Sequence, residues 1–176
     1  FSTLFGWYVF ASWFVTGLSV ITLATIYLKK AGYLSVVNEN HLHDMGKFMF
    51  AFSIFWTYIW FSQFILIWYA NIPEESIYFI ERFFNNNNVY TPIVIMNLLV
   101  NFLFPFLFLM TRDSKRQMTL LQVAAFGIIL GHWFDFYLMI MPGTIGAHGG
   151  FDLGVFTLEL GMMLIYASIF IASVMY

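Results

Sequence analysis

The sequence predicts an all-α fold, a polytopic transmembrane helical bundle of five spans, and three observations lead there. Of 176 residues, 61% are hydrophobic and only 9% are charged, against roughly 25% charged in a soluble domain. Aromatic residues make up 22% of the chain, and Trp and Tyr are the rings that settle at the headgroup level of a bilayer. The apolar residues fall into five runs, each close to the roughly 20 residues needed for a crossing.

The runs cover about 4–28, 48–70, 89–110, 118–141 and 153–175. They are too long for barrel strands and do not alternate, and they lack the polar face of a soluble core helix. The chain, 1–176, reads as a single transmembrane domain without internal repeat or linker.

Helix one begins within the apolar run that already contains Phe1, so the chain is expected to be the later part of a longer polypeptide. It ends at Lys29 and Lys30. Helix two is preceded by His41, His43 and Asp44. Asp44 is expected to cap that helix. Two histidines and one acid on a short segment lack a further metal ligand, so no metal site is expected there. Gln63 lies within the span, where amides serve as interhelical hydrogen-bond glue.

The connection after helix two opens with Asn71, Pro73, Glu74 and Glu75, then runs apolar from Ile77 to Phe84, broken by Glu81 and Arg82. It predicts a short helix lying on the membrane surface. Asn85 to Asn88 form a polar loop. Helix three carries Asn97 and Asn101, and Pro105 cannot donate to the carbonyl of residue 101. A kink near Asn101 is expected.

Helix four places Gly127, Gly131 and Asp135 at intervals of four, with His132 three residues before the acid. Positions three and four apart share a face, and glycines admit a neighbouring helix, so Asp135 is expected to look into the bundle. The segment Pro142 to Gly150 reads as a flexible loop. It includes His148 but no lysine for a phosphate cradle. Helix five spaces Asp152, Glu159, Tyr166 and Ser173 by seven residues, each step about 10.5 Å along the axis. Gly154, Gly161 and Ser168 form a second stripe on nearly the opposite side, and either stripe could face the bundle.

Six of the seven Lys and Arg residues (Lys29, Lys30, Lys47, Arg112, Lys115 and Arg116) fall at the first and third connections; Arg82 is the exception. The positive-inside rule makes that side cytoplasmic and puts Tyr176 inside.

With no cysteine, this chain can hold no disulfide, thiolate nucleophile or cysteine-ligated zinc or iron–sulfur cluster. His132 alone lies within a span, so a bis-histidine haem within the chain is not expected, and neither is a redox centre of its own. Ionisable groups inside a membrane point to function. The groups His132, Asp135, Asp152, Glu159, Tyr166 and Ser173 form a candidate proton path. The alternative is a quinol pocket lined by His132, Trp133, Asp135 and Phe136, where the imidazole and the carboxylate would accept the hydroxyl protons.

One stretch is specific. His41-Leu42-His43-Asp44-Met45-Gly46-Lys47, followed by Trp56-Thr57-Tyr58-Ile59-Trp60-Phe61-Ser62-Gln63 and Trp68-Tyr69-Ala70-Asn71-Ile72-Pro73-Glu74-Glu75, resembles the ActF-type membrane subunits of bacterial alternative complex III. These are similar to the polysulfide-reductase-type (NrfD-like) integral subunits, which have two helical bundles; five spans with the C-terminus inside look like the later half. The resemblance implies a respiratory quinol:electron-acceptor oxidoreductase in the bacterial inner membrane, with menaquinol or another quinol as the substrate of the complex. It implies haem c and iron–sulfur centres in partner subunits: c-type cytochromes, an iron–sulfur protein and a homologous membrane subunit. In that family the sister subunit ActC holds the better-supported quinol site. ActF is discussed for proton conduction and assembly. Lipids are the other expected partners, and nucleic acid is not one.

Overall fold

The computed structural model describes residues 3–84, 89–146 and 153–175. Every regular element among the described residues is helical: α1 (Thr3–Lys30), α2 (Glu39–Ala70), α3 (Pro73–Phe83), α4 (Thr91–Leu98), a π-helical segment (Leu99–Leu103), α5 (Phe104–Phe108), α6 (Arg112–Arg116), α7 (Met118–Thr144) and α8 (Leu153–Met175). Four stretches are long and apolar enough to cross a membrane: Leu4–Lys30, Glu39–Ala70, Thr91–Phe108 and Met118–Thr144. They run up and down, so Lys29, Lys30, Lys47 and the cations of α6 share one end of the bundle. The short α3 closes the other end.

Helix α2 departs most from the sequence expectation. It starts at Glu39, not near residue 48, and its cap is Asn38 rather than Asp44. Asn38 Oδ1 accepts from the backbone N–H groups of Asn40 and His41 at 3.0 and 3.1 Å, while the Asn38 N–H donates to His41 Nδ1 at 3.2 Å. This reciprocal capping box satisfies orphan groups of the first turn. Asp44 sits inside the helix, pairing with Lys47 at 2.6 Å on an exposed surface. At the far end Asn71 adopts φ 48° and donates its N–H to Ile67 O at 3.0 Å, stopping the helix before Pro73.

The interruption in the third span takes a definite form. Pro105 has no N–H for the Asn101 carbonyl, and the helix widens just before it into a π-helical segment in which the Phe104 N–H reaches Leu99 O. Asn101 lies buried within this bulge. Such bulges are frequent at functional sites.

The fourth span also differs from expectation. Pro142 lies within α7, which continues to Thr144, where the sequence suggested a loop. Pro142 leaves the Leu138 carbonyl without its helical donor, and the side chain of Arg82 supplies one: Nε donates to Leu138 O at 3.0 Å and Nη2 to Met139 O at 3.3 Å. Thus α3 is more than a surface helix, because Phe79 and Arg82 are buried against the bundle.

Apolar packing divides by depth. Toward the basic end, Val15, Ile26, Leu42, Met49, Leu109, Leu121 and Ile128 form one cluster; toward α3, Tyr90, Ile93, Val94, Tyr137 and Leu138 form another. Helix α7 packs closely through its glycines. A Cβ on Gly127 would come within 2.5 Å of Phe104 Cε1, and one on Gly131 within 2.8 Å of Val100 Cγ1 and 2.9 Å of Asn101 Cγ. Helix α8 spans 23 residues, and its described side chains are half-buried or exposed.

Candidate functional site

Between the apolar clusters, three helices aim polar side chains at Asp135 of α7, which is wholly buried. From α1, the Tyr8 hydroxyl donates to Oδ1 and the Ser12 hydroxyl to Oδ2 at 2.7 Å. From α2, Trp56 Nε1 lies 3.0 Å from Oδ2 and 2.8 Å from Ser12 Oγ, so its proton is shared. From α4, Asn97 Nδ2 donates to Oδ1 at 3.0 Å. Asn101, one turn along on the π-helical segment, donates to Asn97 Oδ1 and extends the chain. A carboxylate has about four acceptor positions, and here each faces a neutral donor.

The donors come from sequence-distant helices because each helix places small or polar residues on its inward strip. Tyr8 and Ser12 lie four apart on α1, as do Asn97 and Asn101 along the third span, and Gly131 and Asp135 on α7. Other hydroxyls of α1 are held locally: Thr16, Ser19 and Thr22 donate to the carbonyls four residues earlier at 2.7 to 2.9 Å, so they cost the apolar surroundings little.

His132 stands beside this hub. Its Nδ1 lies 3.6 Å from Asp135 Oδ2, in ion-pair range but beyond a hydrogen bond, and its ring packs edge-on to Trp56 with centroids 5.4 Å apart. Among the described residues neither ring nitrogen has a hydrogen-bond partner, and the same holds for Asn101 Oδ1 and Ser53 Oγ on other helices. Buried polar atoms are nearly always paired, so an imidazole with two open nitrogens against a carboxylate is the chemically unfinished part of the site. It can take up or pass a proton.

A narrow cavity of about 10 Å³ lies between this hub and α3, lined by Tyr8, Asn97, Tyr78 and Arg82 with aromatic neighbours. That is the volume at which one water begins to fit. The Arg82 guanidinium rests 3.5 Å from the Tyr78 ring centroid and donates through Nη1 to Tyr78 O at 2.6 Å. Burial pulls the guanidinium below its ordinary value, opposed by the phenols of Tyr78 and Tyr8 and by Glu81. Burial also pushes the Tyr78 phenol up, with Arg82 opposing.

Of the residues singled out from sequence, the structure brings His132 and Asp135 together. Tyr166 is 73% exposed, and Ser173 is exposed and donates to Phe170 O at 2.7 Å; neither joins the hub. Asp152 and His148, and the side chain of Glu159, lie outside the described residues. For the quinol alternative, Trp133 and Phe136 are only half-buried, while His132 and Asp135 are enclosed; Phe136 packs on the exposed Trp13, and Trp133 on Phe134.

Sequence reasoning missed Tyr8, Ser12, Trp56 and Arg82. The signal for the first two was their spacing of four, which puts both on one face of α1. Trp56, at mid-span, lies far from the interfacial level that Trp favours. For Arg82 it was Pro142, which demands a donor for Leu138. In comparisons with known proteins, no family model and no curated protein matches this chain.

Proposed function

We propose that this chain is an integral membrane subunit of a respiratory quinol:cytochrome c (electron acceptor) oxidoreductase of the alternative complex III type, contributing assembly and proton transfer without a redox centre of its own. The stretch from His41 to Glu75 supports the respiratory assignment by its resemblance to ActF-type subunits. The proton role rests on one observation: the enclosed Asp135 carboxylate with the unpartnered imidazole of His132 at 3.6 Å. Carboxylates and imidazoles in low dielectric are the usual proton-handling groups of membrane proteins.

In this reading α8 is the fifth crossing, the basic end faces the cytoplasm and α3 faces outward. The subunit is a multi-pass protein of the bacterial inner membrane, joined to a homologous membrane subunit, an iron–sulfur subunit and c-type cytochromes. A proton exchanges with the outer side through water in the cavity beside Arg82 and Tyr78. It reaches the Tyr8 hydroxyl, whose own proton moves along its hydrogen bond to Asp135. His132 then shares the proton with Asp135. Glu159 and Asp152 on the fifth span, with Tyr166 and Ser173 continuing inward, would join only if α8 turns its acidic stripe to the bundle in the assembled complex.

The test is the assembled complex carrying Asp135→Asn or His132→Phe. Retained co-purification of a multihaem cytochrome and an iron–sulfur protein, with slowed proton release per electron, is the expected result. Full turnover with unchanged proton release would refute the proton role; absence of those partners from the wild-type preparation would refute the respiratory assignment. Labelling of α7 by a photoreactive quinone would instead place a quinol pocket at His132 and Asp135.

A further inference from the structure

The basic end of the bundle carries a corner that the proton hub does not use. Helix α6 (Arg112–Arg116) lies hard against α2 at Gly46, where an added Cβ would stand 3.1 Å from both Lys115 Cβ and Cγ. This contact gathers His43 and Lys47 of α2 with Lys115 and Arg116 of α6. Asp44 is engaged by Lys47 at 2.6 Å. Two nitrogens there are buried and, among the described residues, without a hydrogen-bond partner: His43 Nδ1 and Arg116 Nε. The Lys115 ammonium lies 4.7 Å from the centroid of the Phe50 ring, and burial, then the Lys47 ammonium, pull it below the usual lysine range. Cations crowded against one another, with unfilled nitrogens, call for an anion.

A second observation says what kind. An apolar groove of about 320 Å³ runs along the outer face of the third span, lined by Leu99, Leu103, Phe104, Leu107 and Phe108. Leu103 and Leu107 are exposed in it. It covers about 14 Å of helix axis and ends at Phe108, four residues before Arg112. A phosphate at the corner and an alkyl chain in the groove belong to one amphiphile, and basic pockets between helix ends are where anionic headgroups dock.

We propose that His43, Lys47, Lys115 and Arg116 bind the phosphate of an anionic phospholipid whose acyl chain lies in the Leu99–Phe108 groove. The site rests on the chain being membrane-inserted but shares no residue with the Asp135 hub. It would hold a lipid at the junction of α2, α6 and the third span.

The experiment is native mass spectrometry of the full chain, in its complex where it assembles, with dioleoyl phosphatidylglycerol and dioleoyl phosphatidylcholine offered in equal amounts. The wild type should retain phosphatidylglycerol selectively. The double variant Lys115→Gln, Arg116→Gln should release it about tenfold more readily or worse, each lost cation near the surface weakening attraction. Leu107→Trp, which fills the groove and leaves every cation in place, should also weaken retention, whereas Lys29→Gln should not. Equal retention of the two lipids, unchanged retention in the double variant, or displacement by excess inorganic phosphate alone would each overturn the proposal. Should the double variant fail to fold, two single variants decide the matter: Leu107→Trp, expected to weaken retention, and Lys115→Arg, expected to keep it selective. Failure here would leave the proton reading of Asp135 standing.

Discussion

The Tyr8 hydroxyl donates to Oδ1 of Asp135 across 127 positions of sequence, tying the start of α1 to the C-terminal half of α7. In lipid the hydrophobic effect does not drive helices together, so packing and interhelical hydrogen bonds decide the arrangement. Tyr8, Ser12, Trp56 and Asn97 all converge on one carboxylate. Asp135 is therefore both the chemical centre and the point at which α1, α2, α4 and α7 are held in register.

Removing it should be costly. Asp135→Ala leaves four buried donors without their acceptor, and each unsatisfied group costs about 1–3 kcal/mol, reduced where donors find carbonyls of their own helices. A net loss of about 3 kcal/mol or more is expected in reversible unfolding in mixed micelles. Asp135→Asn keeps one acceptor oxygen but turns an amide N–H toward donors, so its loss should be smaller. Tyr8→Phe, deleting a single donor, should cost least of the three.

Glycine positions give a sharper ordering. A methyl group on Gly131 meets Val100 and Asn101, whereas on Gly17 it meets nothing within 4 Å. Gly131→Ala should destabilise by about 1–3 kcal/mol through overpacking and displace Asn101 from its bond to Asn97. Gly17→Ala should be neutral or gain up to about 1 kcal/mol from helix propensity. Equal unfolding midpoints for the two variants would show that α7 and the third span do not approach this closely.

Apolar run length made the four long helices legible, and the spacing of Gly127, Gly131 and Asp135 made the inward face of α7 legible. The partners of Asp135 were not, because a lone Ser or Tyr in an apolar run reads the same whether it bonds its own carbonyl, as Thr16 does, or crosses to another helix, as Ser12 does. The start of α2 was misplaced because hydropathy registers where lipid begins, whereas Asn38 starts the helix in the polar zone before it. Arg82 was read as a break in a surface helix. Only the folded chain brings it under Pro142, 60 residues further along.

Asn38 and Asp44, an amide and an acid that sequence inspection confuses as caps of α2, play different parts. Asn38→Ala should cost about 1 kcal/mol and fray the first turns of α2, seen as faster amide hydrogen exchange at Asn40 and His41. Asp44→Ala should leave those amides protected, since its side chain reaches Lys47 rather than the helix start. The reverse pattern would restore Asp44 as the cap.

Tyr90 supplies a pH dependence. Burial, then Tyr137, pushes its phenol up to about 12, against Arg82, and its hydroxyl donates to Gly146 O at 2.7 Å. The folded state holds this proton more tightly than the unfolded chain, which releases it near the ordinary value of about 10. The stabilisation is complete below pH ~10 and is lost as pH rises through about 12. Alkaline unfolding should therefore show a stability decline in that window that Tyr90→Phe makes shallower.

Arg82 and Pro142 should be energetically coupled. Proline at 142 leaves the Leu138 carbonyl without a backbone donor, and Arg82 Nε fills the vacancy at 3.0 Å. Arg82→Met in the native background strands that buried carbonyl and removes the contact to Met139. A loss of about 2–3 kcal/mol is expected, as for a charged hydrogen bond to a buried group. In a Pro142→Ala background residue 142 regains an N–H, Leu138 recovers its helical bond, and the same Arg82→Met change should cost about 1 kcal/mol less or better, within the range of coupling for directly interacting residues. Measured as a double-mutant cycle by unfolding in mixed micelles, a coupling energy near zero would mean that Arg82 acts through its contacts with Tyr78 and Met139 rather than by filling the place that Pro142 opened. A clear positive coupling would establish that α3 is held in the bundle because a proline on α7 opened a place for it.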